Sequence, residues 1–291
     1  MRLIEPPGVT HRHVTVDDGC RIHVAEAGTG APLVLLHGWP QHWYAWRDVI
    51  GPLAERFRVI CPDLRGLGRS DAAGTDWSLR RLARDVTGVM DALGIDRCGV
   101  VGHDWGAVIG YRLALDQPDR VTRLMPMAAP HPWASLGAHP RQVWRPWHVY
   151  TAALLGRANN TWLQVPRTCL RTWRRAGAFT PDEEEAYCAV MHRPDARRAT
   201  TRYNRNLIVR EVPYFVANAR WLTLALPILH LNGAEDPLTQ RLSHAYRTHA
   251  PAMRLDELPG CGHYIAEERT AALIDAVTTF FEPSATAGDP T

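Results

Sequence analysis

Short apolar runs that break at glycine or proline constrain this chain more than any other feature. Residues 33–36, 59–61 and 99–101 are continuously apolar, and each gives way to Gly or Pro within two residues. A strand buried on both faces reads this way, whereas a half-solvated strand alternates. Between the runs lie stretches of helical periodicity at about residues 43–55 and 78–93, and another at 107–115 that Gln117-Pro118 should end. Residues 123–127, 228–231 and 254–258 read as further strands, and 14–16 with 21–25 as an opening pair around the Asp18-Gly19 turn. Alternating strands and helices predict an α/β architecture, a doubly wound and mostly parallel sheet with crossover helices.

Residues 132–220 break the rhythm. They hold five tryptophans and several helix-like pieces but no convincing strand, and 14 Arg stand there against 6 Asp and Glu. That segment carries +8 and the rest of the chain −5, within a total of +3. We expect a helical cap over residues 132–220, inserted between two halves of one core at 1–131 and 221–291. With 291 residues and 46% hydrophobic content, there is ample material for one large core. No run of 18 apolar residues is present and the first ten residues lack an apolar signal region, so a cytoplasmic location is expected, with no membrane partner. The near-zero net charge argues against nucleic-acid binding. Six cysteines show neither CxxC nor zinc spacing, so no metal is expected, and Cys61 and Cys98 beside strand-like runs read as buried thiols.

The chemistry gathers at the ends of the strands. Gly102-His103-Asp104-Trp105-Gly106 follows the apolar run at 98–101 and opens a helix. This is the spacing of a nucleophile elbow, a sharp strand-to-helix turn that presents one side chain at the sheet edge beside helix N–H groups. His37-Gly38-Trp39-Pro40 follows another strand, where an oxyanion-hole loop would lie, and puts the N–H groups of Trp39 and Trp105 in reach of one anion. Asp236 follows the strand at 228–231, and His263 sits in a glycine-rich loop after the last strand. Nucleophile, acid and histidine thus occur in the order Asp104, Asp236, His263.

At HGWPQHWYAW (37–46), CPDLRGLGRSD (61–71), GHDWGA (102–107) and PGCGHYIAEE (259–268) the chain resembles the α/β-hydrolase superfamily, and within it epoxide hydrolases and their haloalkane dehalogenase relatives. The resemblance runs over nearly the whole length and weakens in the cap. It implies an α/β-hydrolase fold, a cis Trp39-Pro40 peptide and no organic cofactor.

An aspartate at the elbow selects the reaction. Carboxylate attack on a carboxylic ester would give a reactive anhydride, whereas attack on a saturated carbon gives a stable ester that water cleaves at its carbonyl. Asp104 should displace, and His263, oriented by Asp236, should activate that water. A halide leaves as a stable anion and wants N–H donors; an epoxide oxygen leaves as a basic alkoxide and wants a proton, which a tyrosine can supply. One dehalogenase group has Asn where Trp39 stands, and haloacetate dehalogenases, similar here at Trp147-His148, place Arg where Trp105 stands. Epoxide opening therefore leads, with dehalogenation and a non-catalytic ligand-binding relative as alternatives.

Epoxide hydrolases carry two cap tyrosines, the later one just before an Arg. Here the late segment reads Arg202-Tyr203-Asn204-Arg205, one residue out of step, which turns a helical side chain by about 100°. Tyr203 is the first candidate proton donor and Tyr150 the second; His37, Trp147 and His148 are expected to contact substrate. An aromatic or anionic epoxide, attracted by Arg141, Arg145, Arg202 or Arg205, is the expected partner, with a second copy in a homodimer as the other partner weighed.

Overall fold

The computed structural model describes residues 5–134, 147–154, 164–175, 177–239 and 245–282. One eight-stranded sheet organises them: β1 (Thr10–Thr15), β2 (Arg21–Ala27), β3 (Ala31–Leu36), β4 (Phe57–Pro62), β5 (Cys98–His103), β6 (Val121–Met127), β7 (Ile228–Gly233) and β8 (Met253–Leu258). Their order is β1-β2-β4-β3-β5-β6-β7-β8, antiparallel for β1–β2 and β2–β4 and parallel from there on. The β1–β2 turn closes with the Gly19 N–H on Val16 O and the Val16 N–H on Cys20 O, Gly19 taking φ +81°. Every residue of β5 and of β7 is buried, including the polar His230 and Asn232 of β7.

Helices α1 (Arg47–Ala54), α2 (Leu79–Ala92) and α3 (Trp105–Asp116) connect β3 to β4, β4 to β5 and β5 to β6. Ser78 caps α2 by accepting the Arg81 N–H at 3.1 Å. Helix α3 begins two residues before the sequence-based expectation, because the elbow itself is its first turn, and it stops one residue ahead of Gln117-Pro118. Between β6 and β7 the described residues form helices and no strand: α4 (Trp147–Leu154), α5 (Gln164–Thr172), α6 (Pro181–Ala189), α7 (Pro194–Asn206) and α8 (Val212–Asn218), with a π-helical turn between the last two. A reciprocal cap starts α6, Thr180 accepting the Glu183 N–H and Glu183 the Thr180 N–H, as the acidic run at 182–185 suggested. Short α9 (Tyr246–His249) and α10 (Ile265–Glu268) and the longer α11 (Thr270–Phe281) complete the described chain. All six cysteines are buried free thiols, and no described helix is long and apolar enough to cross a membrane.

Buried polar groups pin the loops at the carboxyl ends of β3 and β4, which carry part of the site. Asp63, fully buried, accepts from His23 Nδ1–H at 2.7 Å, Trp43 N–H at 2.7 Å and Arg69 N–H at 2.8 Å. Burial opposes its charge, but these donors and the surrounding histidines hold the carboxyl well below the ordinary range. Arg65 is equally buried and bonds Asp85 through two nitrogens at 2.7 and 2.6 Å. Its carbonyl oxygen in turn receives the hydroxyl of Tyr203.

Candidate active site

The elbow forms where β5 runs into α3. Asp104 takes φ +50° and ψ −113°, a conformation that costs a non-glycine residue about 1–3 kcal/mol. The surroundings impose it: the Asp104 N–H donates to Met127 O at 3.0 Å, and its carbonyl accepts the first N–H groups of α3, from Ala107 at 3.0 Å and Val108 at 3.2 Å. The neighbouring glycine is sterically required, since a Cβ on Gly106 would lie 2.1 Å from Leu36 O. Of the five elbow residues, Asp104 alone is not fully buried.

The β3 loop meets that carboxylate directly. The Trp39 N–H donates to Asp104 Oδ2 at 2.9 Å, across a cis Trp39-Pro40 peptide. Gly38 allows the approach, because a Cβ there would stand 2.6 Å from Asp104 Cβ. Burial raises the Asp104 carboxyl above its ordinary value, against the opposing pull of His263 and of the Trp39 and Trp105 N–H groups. Those two N–H groups thus converge on one carboxyl, the arrangement an oxyanion needs.

His263 and Asp236 are both fully buried, with His263 Nδ1 3.2 Å from Asp236 Oδ2. Asp236 is held at its other contacts by the Leu238 N–H at 2.9 Å and the Thr239 hydroxyl at 3.0 Å. Burial works against the Asp236 charge, yet His263 and these donors lower its pKa. Burial likewise works against a charged His263, but Asp236, and then Asp104, raise its pKa above the ordinary value. With Nδ1–H directed at Asp236, the lone pair of Nε2 is presented, and among the described residues no hydrogen-bond partner meets it. His103 braces the same residue from the elbow: burial pushes its pKa down to about 3, so a neutral ring donates Nε2–H to His263 O at 2.9 Å.

Other expected contacts fall differently. His37 is fully buried, its Nε2 accepting the Leu64 N–H at 2.9 Å and its Nδ1–H donating to Gly38 O at 2.8 Å. Both nitrogens hold backbone, so His37 shapes the loop that carries Trp39. Tyr203 lies beside the elbow with its hydroxyl engaged. Its ring packs between Trp77 and Trp105, with centroids 5.6 and 5.4 Å away, while its hydroxyl is committed to Arg65 O. Burial pushes that phenol well above its ordinary pKa. Tyr150 lies half-buried on α4, which packs on α7, where Arg205 Nε donates to Ala153 O at 2.6 Å. Arg202 rests over the Trp77 ring at 5.2 Å. Both cap cations therefore have partners within the protein. The side chains of Trp147 and His148, and residues Arg141 and Arg145, lie outside the described residues.

Several contributors escaped the sequence reading. Thr200 accepts the Trp39 indole N–H at 3.1 Å, and Trp173 sets its ring 5.5 Å from that of His263. Thr239, three residues after Asp236, had a legible signal in the Asp-x-x-Thr spacing; Thr200 and Trp173 had none, since their partners are distant in sequence. Among the described residues, no group of three His, Cys, Asp or Glu side chains could hold a metal ion.

The geometry agrees with what the chain is similar to. A family model for the α/β-hydrolase fold matches residues 31–270. The soluble epoxide hydrolase of Corynebacterium sp. (strain C12) is 31% identical, across 94% of this chain and 98% of that one. The ligand-free structure of the epoxide hydrolase CorEH superposes with a TM-score of 0.78 at 31% identity, covering 94% of this chain and 98% of the other. A Salmonella enterica structure provisionally described as an acyltransferase gives 0.87 at 28% identity, covering 96% and 97%. The chain belongs to the α/β-hydrolase fold family and, within it, to the epoxide hydrolases.

Proposed function

We propose that this protein hydrolyses an epoxide to a vicinal diol through a covalent ester on Asp104. The observation that carries the reading is the Asp104 carboxylate seated on the Trp39 N–H, with the unpartnered Nε2 of buried His263 in the same site. One Asp104 oxygen attacks an epoxide carbon, the C–O bond breaks, and the alkoxide takes a proton from a cap tyrosine. His263 Nε2 then removes a proton from water as its oxygen adds to the Asp104 carbonyl carbon. The N–H groups of Trp39 and Trp105 stabilise the resulting oxyanion. Collapse expels the diol oxygen, which takes the proton from His263, and the second proton of the water restores the tyrosine. Residues 132–220 act as the cap above a core of 1–131 and 221–291. The aromatic walls supplied by Trp105 and Trp173 suit a flat, aromatic epoxide.

Two competing reactions fit less well. Acyl transfer through an aspartate would require an anhydride intermediate. Halide displacement would want paired indole donors; the Trp39 indole N–H is taken by Thr200, while Trp105 beside the nucleophile serves either reaction.

With the Tyr203 hydroxyl on Arg65 O, the proton donor in this account is Tyr150. Tyr150→Phe should slow epoxide opening by about 100-fold or more, the ordinary worth of a general acid. Tyr203→Phe should leave opening within about threefold and cost about 1 kcal/mol of stability through its lost hydrogen bond. Stopped-flow tryptophan fluorescence and urea unfolding separate the two; the reverse assignment of effects would return the role to Tyr203.

The charges also interlock. In the free enzyme Asp236 and Asp104 both raise the pKa of His263; esterification removes the Asp104 charge, so His263 then holds its proton less tightly. Ester hydrolysis needs neutral His263 and is lost as pH falls through its pKa in the ester form. The acid limb of that step should therefore lie at lower pH than the NMR titration of His263 in the free enzyme. Coincident values would remove Asp104 from the charges acting on His263.

A further inference from the structure

The loop that carries His263 is held by a residue outside the catalytic set. Glu268, at the end of α10, accepts the Gly262 N–H at 2.5 Å through Oε2 and the Tyr264 N–H at 3.3 Å through Oε1. The N–H of His263 itself goes to Trp173 O at 3.1 Å. Three consecutive N–H groups are thus fixed, the outer two by one carboxylate and the middle one by the segment after α5. That segment reaches Glu268 as well, since the Arg175 N–H donates to Oε1 at 3.3 Å. The Arg175 guanidinium also meets Glu235, the residue before Asp236. The loop is pressed tightly on this clamp: a Cβ on Gly262 would stand 2.9 Å from Trp173 O and 3.0 Å from Glu268 Oε1.

We infer that Glu268 is a positioning residue for His263, fixing the angle at which Nε2 meets the water and tying that angle to the seating of residues 173–175. The inference rests on His263 being the base of the ester-hydrolysis step. It follows from how little else fixes the ring. Asp236 holds one nitrogen at 3.2 Å, and the rings of Trp173, Tyr264 and His103 stand 5.5, 5.0 and 4.9 Å from it. Direction must therefore come from the backbone, through Glu268, Trp173 O and the His103 bond to His263 O. A base displaced by a fraction of an ångström loses water activation, while the displacement at Asp104 is untouched. Asp236, Asp104 and Glu268 are the anionic groups that raise the His263 pKa, so removing Glu268 should also lower it.

The test uses the full chain with Glu268→Ala and Glu268→Gln, styrene oxide as the probe, and two readouts. Rapid-quench intact mass resolves ester formation from ester hydrolysis. In Glu268→Ala, formation should stay within about twofold while hydrolysis slows by about 10-fold or more; Glu268→Gln, keeping one acceptor, should recover part of that loss. NMR titration of His263, which needs no substrate, should move to lower pH in both variants by about half a unit. Equal slowing of both steps, as general loosening would produce, overturns the inference, and so does an unmoved titration. If styrene oxide forms no ester on the wild-type protein, the proposed reaction fails for that probe. The His263 Nδ1–H proton resonance, which reports the bond to Asp236, then decides: a change in Glu268→Ala that Glu268→Gln partly restores upholds Glu268 as the group positioning His263, and an unchanged resonance, or an equal change in both variants, overturns it.

Discussion

Replacing Asp104 by alanine should abolish epoxide turnover, lowering kcat by about 10⁴-fold or more, as removal of an attacking side chain does in other covalent hydrolases. The fold should survive. Asp104 occupies an unfavourable backbone region at φ +50°, and burial raises its carboxyl pKa, so the native protein bears a cost at this position for the sake of the site. Deleting the carboxylate relieves its desolvation, although the Trp39 N–H loses an acceptor. The variant should therefore melt within a few degrees of the parent while showing no ester by mass. Full activity in Asp104→Ala would mean that water attacks the substrate directly.

His263→Gln should produce the opposite signature, an ester that forms and stays. Displacement by Asp104 requires no base, so alkylation should proceed near the parent rate. Water activation does require one, so hydrolysis should slow by about 10²–10⁴-fold. The protein should then carry an added mass equal to that of the epoxide, mapping to the peptide that contains Asp104. The unpartnered Nε2 is the structural reason for assigning the water to this ring. Turnover at the parent rate, with no adduct during catalysis, would move the base elsewhere.

The strand ends that carry this site are legible in the sequence because two independent constraints coincide there. Parallel strands buried on both faces must be apolar throughout, and the turns that leave them are crowded enough to demand glycine at Gly38 and Gly106. Apolar runs followed by glycine therefore locate Trp39, Asp104 and Asp236 without any knowledge of tertiary contacts, and the glycine-rich loop after the last, partly exposed strand marks His263. The cap residues follow no such rule. A hydroxyl is assigned by its partner, and the partner of Tyr203 is the carbonyl of Arg65, 138 residues away. The one-residue displacement of Tyr203 hinted at this, since it turns a helical side chain by about 100°. His37 is the converse case: a histidine beside such a loop looks chemically available, whereas here both ring nitrogens hold backbone of that loop and its neighbour. Glu268 reads in the sequence only as an acid five residues past His263. Its meaning comes from a carboxylate folding back onto N–H groups of the preceding turn.

Oxygen labelling separates a covalent ester on Asp104 from direct attack by water. When the ester is hydrolysed at its carbonyl carbon, the water oxygen stays in the Asp104 carboxylate and the original aspartate oxygen leaves with the diol. One turnover in ¹⁸O-enriched water, with enzyme in excess over styrene oxide, should therefore give unlabelled diol and a single heavy oxygen in the peptide bearing Asp104. Label in the diol of that first turnover, with none on Asp104, would show direct attack by water and contradict the account.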